Sequence, residues 1–204
     1  MSSKLITIDN VPMAINPADQ DRVFENLREL KDDVWHLKSH NTKRSYLSDF
    51  NQYLTFCKEH GLPAMASDSS VTKESCRAFL DYLMTTQLKH HTIRRKLASI
   101  RYFIGVSELP DPWQQSKLFR EYTNHLINQK PSRQSQAEPL RLENIEAINE
   151  SLDTNTLMGL RDAVIFNIAI DTIFRASNLI AIHVHHIDFD KQRIFAPRSK
   201  TDKS

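Results

Sequence analysis

Apolar positions in the first half of this chain recur at spacings of three and four, the mark of one-sided helices. Val23, Leu27, Leu30, Val34 and Leu37 form the first such stripe. Asn16-Pro17 precedes it, Asn suited to an N-cap and Pro to the first helical position, which predicts a helix from Pro17 to Leu37. A second helix starts from Asn41 as cap, turns Tyr46, Phe50, Tyr53, Leu54 and Cys57 inward, and stops at Gly61. A third has Thr72 as cap and Cys76, Phe79, Leu80 and Leu83 inside. A fourth runs from about His91 to Ile104, with Ile93, Leu97, Ile100 and Ile104 on one side and Gly105 as its end. Asp111-Pro112 repeats the cap-and-proline signal and opens a fifth.

The pattern then breaks. Residues 128–139, NQKPSRQSQAEP, are polar, carry two prolines and have no apolar period, so they read as a linker and domain boundary. Beyond it, Leu142 to Ile148 is helical in pattern. Arg161 to Ile170, with AVIFNIAI, is a more apolar helix expected at the centre of a second core. Arg175 follows, then a short helix to about His183. HIDFDKQRIFAP alternates as strand, turn and strand, with Asp190-Lys191-Gln192 as the turn.

Composition narrows the class. Hydrophobic residues make up 40% of the 204, enough for packed cores, and only three glycines occur, which suits helices better than turn-rich β folds. No apolar run reaches the roughly 20 residues of a membrane span. MSSKLITIDN lacks the apolar stretch of a signal peptide. Cys57 and Cys76 form no CxxC pair and imply no disulfide framework, so a reducing, cytoplasmic setting is expected. Net charge is only +2, but its distribution is uneven: residues 1–35 carry −3, residues 36–133 carry +7 and residues 134–204 carry −2. A basic middle between acidic ends is a candidate footprint for nucleic acid, although charge alone favours the plainer reading of a solvated surface. The outer face of the first helix is acidic. That disfavours contact with DNA or membrane and permits contact with a neighbouring subunit.

Two helix starts carry polar and basic side chains together: Asn41, Thr42, Lys43 and Arg44 on the second helix, and Thr92, Arg94, Arg95 and, further on, Arg101 on the fourth. Free backbone N–H groups at a helix start, with Lys and Arg beside them, suit a phosphate backbone. Ordinary solvated helix surface fits the same residues. Arg175 stands among Ile173, Phe174, Leu179 and Ile182. A buried guanidinium needs a partner: either a carboxylate of Asp171, Asp162 or Asp188, or an anion from outside. His183, His185 and His186 lack a recognised metal-ligand spacing and read as surface or phosphate-facing groups. The tyrosines Tyr46, Tyr53, Tyr82, Tyr102 and Tyr122, together with Trp35 and Trp113, read as packing residues, Trp113 with an interdomain alternative.

Taken in order, SHNTKRSYLSDFNQYLTFCKEHG, HHTIRRKLASIRYF, DPW and QAEPL resemble the core-binding half of a tyrosine recombinase of the phage integrase family. MGLRDAVIFNIAIDTIFRASNLIAIHVHHIDF resembles the start of that family's catalytic domain. The resemblance spans about residues 20 to 204. It implies a mainly α fold: a helical SAM-like core-binding domain over 17–130 after a tail at 1–16, a linker at 131–139, and the incomplete start of a mixed α/β catalytic domain over 140–204. It implies double-stranded DNA as partner, self-association on DNA in the intact protein, and no membrane or small-molecule partner. In the family a tyrosine attacks a backbone phosphate to give a 3′-phosphotyrosyl link, without metal or nucleotide cofactor, in a bacterial or phage-like setting.

On that resemblance Arg175 matches the first of two phosphate-holding arginines and Lys200 the hairpin lysine that protonates the leaving oxygen, so Arg175 is expected to await an outside phosphate. Guanidinium stabilisation of a phosphoryl transition state is sound chemistry. Two positions depart from the family pattern. Ile173-Phe174 replaces Gly-Leu before the arginine, and Asn178 replaces Glu in Ser-Glu-Leu after it. The later His-x-x-Arg motif and the nucleophilic tyrosine have no counterpart within residues 1–204, which are therefore expected to be an N-terminal portion inactive in strand cleavage. Two other readings stand beside this one: a stand-alone DNA-binding regulator, and a helical protein-interaction scaffold.

Overall fold

The computed structural model describes residues 11–131 and 137–195. It is mainly α-helical, with four strands of two residues each among the described residues. Contacts divide the chain into two units, residues 1–134 and 135–204. No helix among the described residues is long and apolar enough to cross a membrane.

The first unit holds α1 (Pro17–Glu29), α2 (His40–Glu59), α3 (Ser69–Thr85), α4 (His90–Val106), α5 (Pro112–Gln115) and α6 (Lys117–Asn128). Its core is the set of stripes read from the sequence. Val23, Tyr53, Cys57, Cys76, Phe79, Leu80, Leu83, Ile93, Ile100 and Ile104 are completely buried. Phe50 of α2 stacks on Phe103 of α4 with ring centres 4.1 Å apart, and Tyr53 meets Phe79 of α3 at 5.2 Å. Trp113 is buried and donates its indole N–H to Thr123 Oγ1 at 3.0 Å, so it packs within this unit. Tyr82 packs from the rim: it is 42% exposed, with its ring stacked on Phe56 at 5.2 Å.

Several boundaries shift, each for a local reason. The first helix stops at Glu29. A π-helical segment (Leu30–Val34) and a 3₁₀ turn (Trp35–Leu37) follow, and Leu37 swings out to 73% exposure instead of completing the stripe. Ser39 caps α2, its hydroxyl accepting the Thr42 N–H at 3.2 Å, so Asn41 lies inside the helix. Asp68 caps α3 by accepting from Ser70 N–H at 2.8 Å. Thr72 is buried instead, and its hydroxyl accepts the Ala66 N–H at 3.0 Å. Gly61 (φ +64) ends α2 as expected: Leu62 N–H reaches the Cys57 carbonyl at 2.8 Å, a left-handed stop that glycine adopts freely. Gly105 does not end α4. The matching stop is Glu108 at φ 53, with Leu109 N–H on the Ile104 carbonyl at 3.2 Å. Asp111 caps α5 and Ser116 caps α6, which splits the expected fifth helix in two.

Two ties close this unit. Strand β1 (Met13–Ala14) pairs in parallel with β2 (Met65–Ala66), joining the N-terminal segment to the α2–α3 connection. Lys130 donates to the Thr86 carbonyl at the end of α3 at 2.6 Å, which fixes the exit of α6.

The second unit holds α7 (Leu142–Ser151), α8 (Leu157–Thr172), α9 (Ala176–Leu179) and an antiparallel hairpin of β3 (Ile187–Asp188) and β4 (Arg193–Ile194). Asn149 and Asn167 exchange amide hydrogen bonds at 2.9 and 3.3 Å between α7 and α8. The short helix after Arg175 ends at Leu179, well before His183. The expectation of a second packed core is not met: no described residue of 137–195 is buried. The apolar residues of α8 are spread around its whole circumference, so its neighbours in the unit cannot enclose it, and Leu157, Met158, Val164 and Ile165 are 48–85% exposed.

Candidate nucleic-acid interface

Helices α2 and α4 pack directly on each other, and their contacts set which faces remain free. Tyr46 pairs with the later part of α4, its carbonyl accepting from Ser99 Oγ at 2.8 Å and its ring 5.1 Å from Tyr102. Asp49 and Gln52 pair with the earlier part, through Arg95 and Lys96. Rising numbers on α2 thus meet falling numbers on α4, and the helices run antiparallel. The two helix starts, 41–44 and 92–95, therefore lie at opposite ends of the pair. Asn41–Arg44 sit beside the Tyr102 end instead, where Lys38 Nζ stands 5.2 Å from that ring.

The outer stripe of α2 reads Asn41, Arg44, Ser48, Asn51, Thr55, Lys58, all exposed and none acidic. Asp49 is turned inward and Glu59 lies at the helix end. The outer stripe of α4 reads His91, Arg94, Ala98, Arg101, Gly105, and the whole helix contains no carboxylate. By contrast α1 carries Asp19, Asp21, Glu25 and Glu29. With Arg22 and Arg28 its only cations, α1 has an excess of carboxylates, whereas α2 and α4 have an excess of Lys and Arg.

Among the described residues Lys43, Arg44, Lys58 and Arg94 have no ion-pair partner, although Arg94 donates its Nε–H to His90 Nε2 at 3.1 Å. Arg95 and Arg101 differ. Arg95 Nη2 is 3.1 Å from Oδ1 of the buried Asp49, and Arg101 holds Asp111 Oδ2 through Nε at 2.9 Å and Nη2 at 2.7 Å. Sequence reasoning had no signal for these pairs, whose members are 46 and 10 residues apart. The expected free N–H groups also move. Thr92 N–H goes to the Lys89 carbonyl and Thr42 N–H to Ser39, so neither is open to a phosphate. The hydroxyls of Thr42 and Ser39 are 2.8 Å apart.

Arg175 is found in a different setting from the expected one. It is exposed, not enclosed by apolar helices, and stands at the N-cap of α9, where its carbonyl accepts from Asn178 and Leu179 N–H. The internal carboxylate alternatives do not hold it: Asp162 pairs with Arg161 at 2.6 Å, Asp188 with Lys191 at 3.4 Å, and Asp171 forms no ion pair among the described residues. Just before it Ile173 ends α8 at φ 52, a left-handed conformation that glycine adopts more freely. Lys200 lies outside the described residues. His183, His185 and His186 cluster with ring centres 4.0–5.7 Å apart. Desolvation, followed by the neighbouring His185 and His183, holds His186 below the usual imidazole range, so it favours the neutral form. No metal-binding group of three such side chains occurs among the described residues.

Comparison with known proteins places the chain in a family. Residues 22–106 match the phage integrase N-terminal SAM-like domain, and residues 138–204 match the phage integrase family. The chain is 24% identical over 171 residues to an integrase/recombinase XerD homolog of Selenomonas ruminantium, covering 81% of this chain and 48% of that protein. It is 29% identical over 157 residues to the tyrosine recombinase XerC of Syntrophus aciditrophicus, covering 75% and 49%. Against the XerC of Staphylococcus aureus it is 26% identical over 155 residues, covering 74% and 47%. The chain belongs to the phage integrase family of tyrosine recombinases. It spans about half the length of the curated relatives it matches.

Proposed function

We propose that this chain is the DNA-binding portion of a site-specific tyrosine recombinase, gripping duplex DNA with the outer faces of α2 and α4. The observation that carries the reading is the balance of charge: outer stripes with cations and no carboxylate on α2 and α4, with amides and hydroxyls added on α2, in contrast to the net acidic α1. Lys43, Arg44, Lys58 and Arg94 have no ionic obligation among the described residues and supply the phosphate contacts. Asn41, Ser48, Asn51 and Thr55 add hydrogen bonds. Thr42 and Thr92 offer hydroxyls rather than backbone N–H groups. Arg95 and Arg101 enter the interface already tied to carboxylates.

In this reading residues 140–204 begin the catalytic domain. Arg175 meets the non-bridging oxygens of the scissile phosphate and Lys200 protonates the leaving 5′-oxygen, in a reaction through a 3′-phosphotyrosyl intermediate in the intact protein. Exposure of Arg175 at a helix start, with no carboxylate of 137–195 holding it, supports the phosphate role over an internal ion pair. Self-association on DNA, in a bacterial or phage-like cytoplasm, belongs to the same proposal. Titration of a duplex across a salt series tests the DNA-binding core of it. Salt-dependent binding supports the reading, and its absence favours a protein-interaction scaffold.

A further inference from the structure

At the late end of α4, an open groove of about 520 Å³ lies between that helix and α5. Arg101, Gly105, Glu108, Asp111, Gln114 and Gln115 line it. Arg101 does not wave in solvent here. Its Nε and Nη2 both rest on Asp111 Oδ2, and its guanidinium carbon stands 5.8 Å from the centre of the Trp113 ring. Asp111 is itself fixed, with a side chain only 9% exposed and its other oxygen accepting the Trp113 N–H at 2.8 Å. The cost of ordering a long side chain is thus met before any ligand arrives. The remaining guanidinium donors stay available, since Arg101 is 44% exposed.

The lining is close to electrically neutral. Asp111 offsets Arg101, and Glu108 is met by Arg22 at 3.2 Å. A neutral groove draws phosphates weakly, whereas an oriented guanidinium and two exposed amides match the donor and acceptor pattern of base edges. Gly105 gives it a flat side: it is exposed, and nothing lies within 4 Å of where a Cβ would stand. Arg101 and Gly105 also continue the outer stripe of Arg94 and Ala98, so the groove is contiguous with the face assigned to the duplex backbone.

Resting on the duplex-binding reading, we propose that this groove is the sequence-reading part of the interface. Arg101, Gln114 and Gln115 meet base edges there, and Asp111 is the positioning residue that presets Arg101. The free cations elsewhere grip the backbone without choosing a sequence.

The test selects duplexes with a randomised core on the 204-residue chain and on its variants, and sequences the bound pools. The parent is expected to show a base preference. Asp111→Asn keeps an oxygen for the Trp113 N–H but loses the anionic anchor. It and Arg101→Lys are expected to relax preference at the same adjacent positions by about tenfold or more, the scale of a lost bidentate base contact. Affinity of Asp111→Asn for random duplex should hold or rise, because a negative charge is removed beside DNA; a merely structural defect would lower it. Gln114→Ala and Gln115→Ala, on the exposed side of α5, carry the test if Asp111→Asn does not fold. Variants that all keep the parent's preference, or a parent that binds duplex with no preference, overturn the reading role alone. A parent that does not bind duplex overturns the duplex-binding reading, and this proposal with it.

Discussion

Lys96 Nζ lies 3.0 Å from Asp49 Oδ1 in the middle of the α2–α4 contact, with side chains 10% and 1% exposed. Gln52 accepts a second Lys96 hydrogen bond at 2.6 Å, and Arg95 reaches the same Asp49 oxygen from the surface. Asp49 Oδ2 has no hydrogen-bond partner among the described residues. The two helices that carry the proposed interface are thus fastened by one buried carboxylate serving two cations.

Removing that carboxylate alone strands a buried ammonium. Asp49→Ala is expected to cost about 3–5 kcal/mol in urea unfolding, whereas Asp49→Leu with Lys96→Met recovers most of it. An equally large loss in the double variant would show that packing, not the stranded charge, sets the cost.

Ile173 stores strain. A β-branched residue at φ 52 is disfavoured by roughly 1–2 kcal/mol, and its side chain is 87% exposed, so little burial offsets this. Ile173→Gly relieves the clash at some cost in chain entropy. A net gain of about 0.5–1 kcal/mol is expected, read as slower hydrogen exchange at the end of α8. Faster exchange would mean that Ile173 makes contacts worth more than its strain.

Gly159 is required for space. A Cβ there would stand 2.0 Å from the Asp153 carbonyl oxygen, so backbone must move. Gly159→Ala is expected to loosen the first turn of α8 and destabilise the second unit by about 1–3 kcal/mol, seen as faster exchange over 156–162. Unchanged exchange there would contradict the close approach.

The two thiols predict a pH dependence. Burial pushes Cys57 up to about 11 and Cys76 up to about 12 from an ordinary 9.0. Their thiols deprotonate more readily in the unfolded chain, so this contribution to stability is complete below about pH 9 and is lost as pH rises towards 11–12. The thermal midpoint should fall over that window, less so in Cys57→Ala with Cys76→Ala. At pH 8 neither native thiol should react with an alkylating reagent on the timescale on which the unfolded chain does.

How far the sequence carried depends on which force acted. The inner faces of α2, α3 and α4 were legible because burying Phe50, Phe79 or Ile100 follows directly from a 3.6-residue period. Helix ends were less so. Ser39 and Asp68 outcompeted Asn41 and Thr72 as caps, and Glu108 took the left-handed stop expected at Gly105. Candidate cations were visible, but which were free was not, because the partners of Arg95 and Arg101 are set by tertiary packing. Burial of Asp49 and Lys96 had no signal beyond their polarity. Arg175 was legible by family pattern, but its exposure was not, since apolar neighbours in sequence do not fix what covers a side chain in space.

The central claim, a duplex grip by free cations on α2 and α4, is tested most directly by the salt dependence of binding. With Lys43, Arg44, Lys58 and Arg94 each neutralising one phosphate, log Kobs for a random 30-bp duplex should fall against log salt with a slope of about −3 to −4. Arg44→Ala with Arg94→Ala should shallow it by about 2. A slope near zero, or one that the double variant leaves unchanged, would contradict the account.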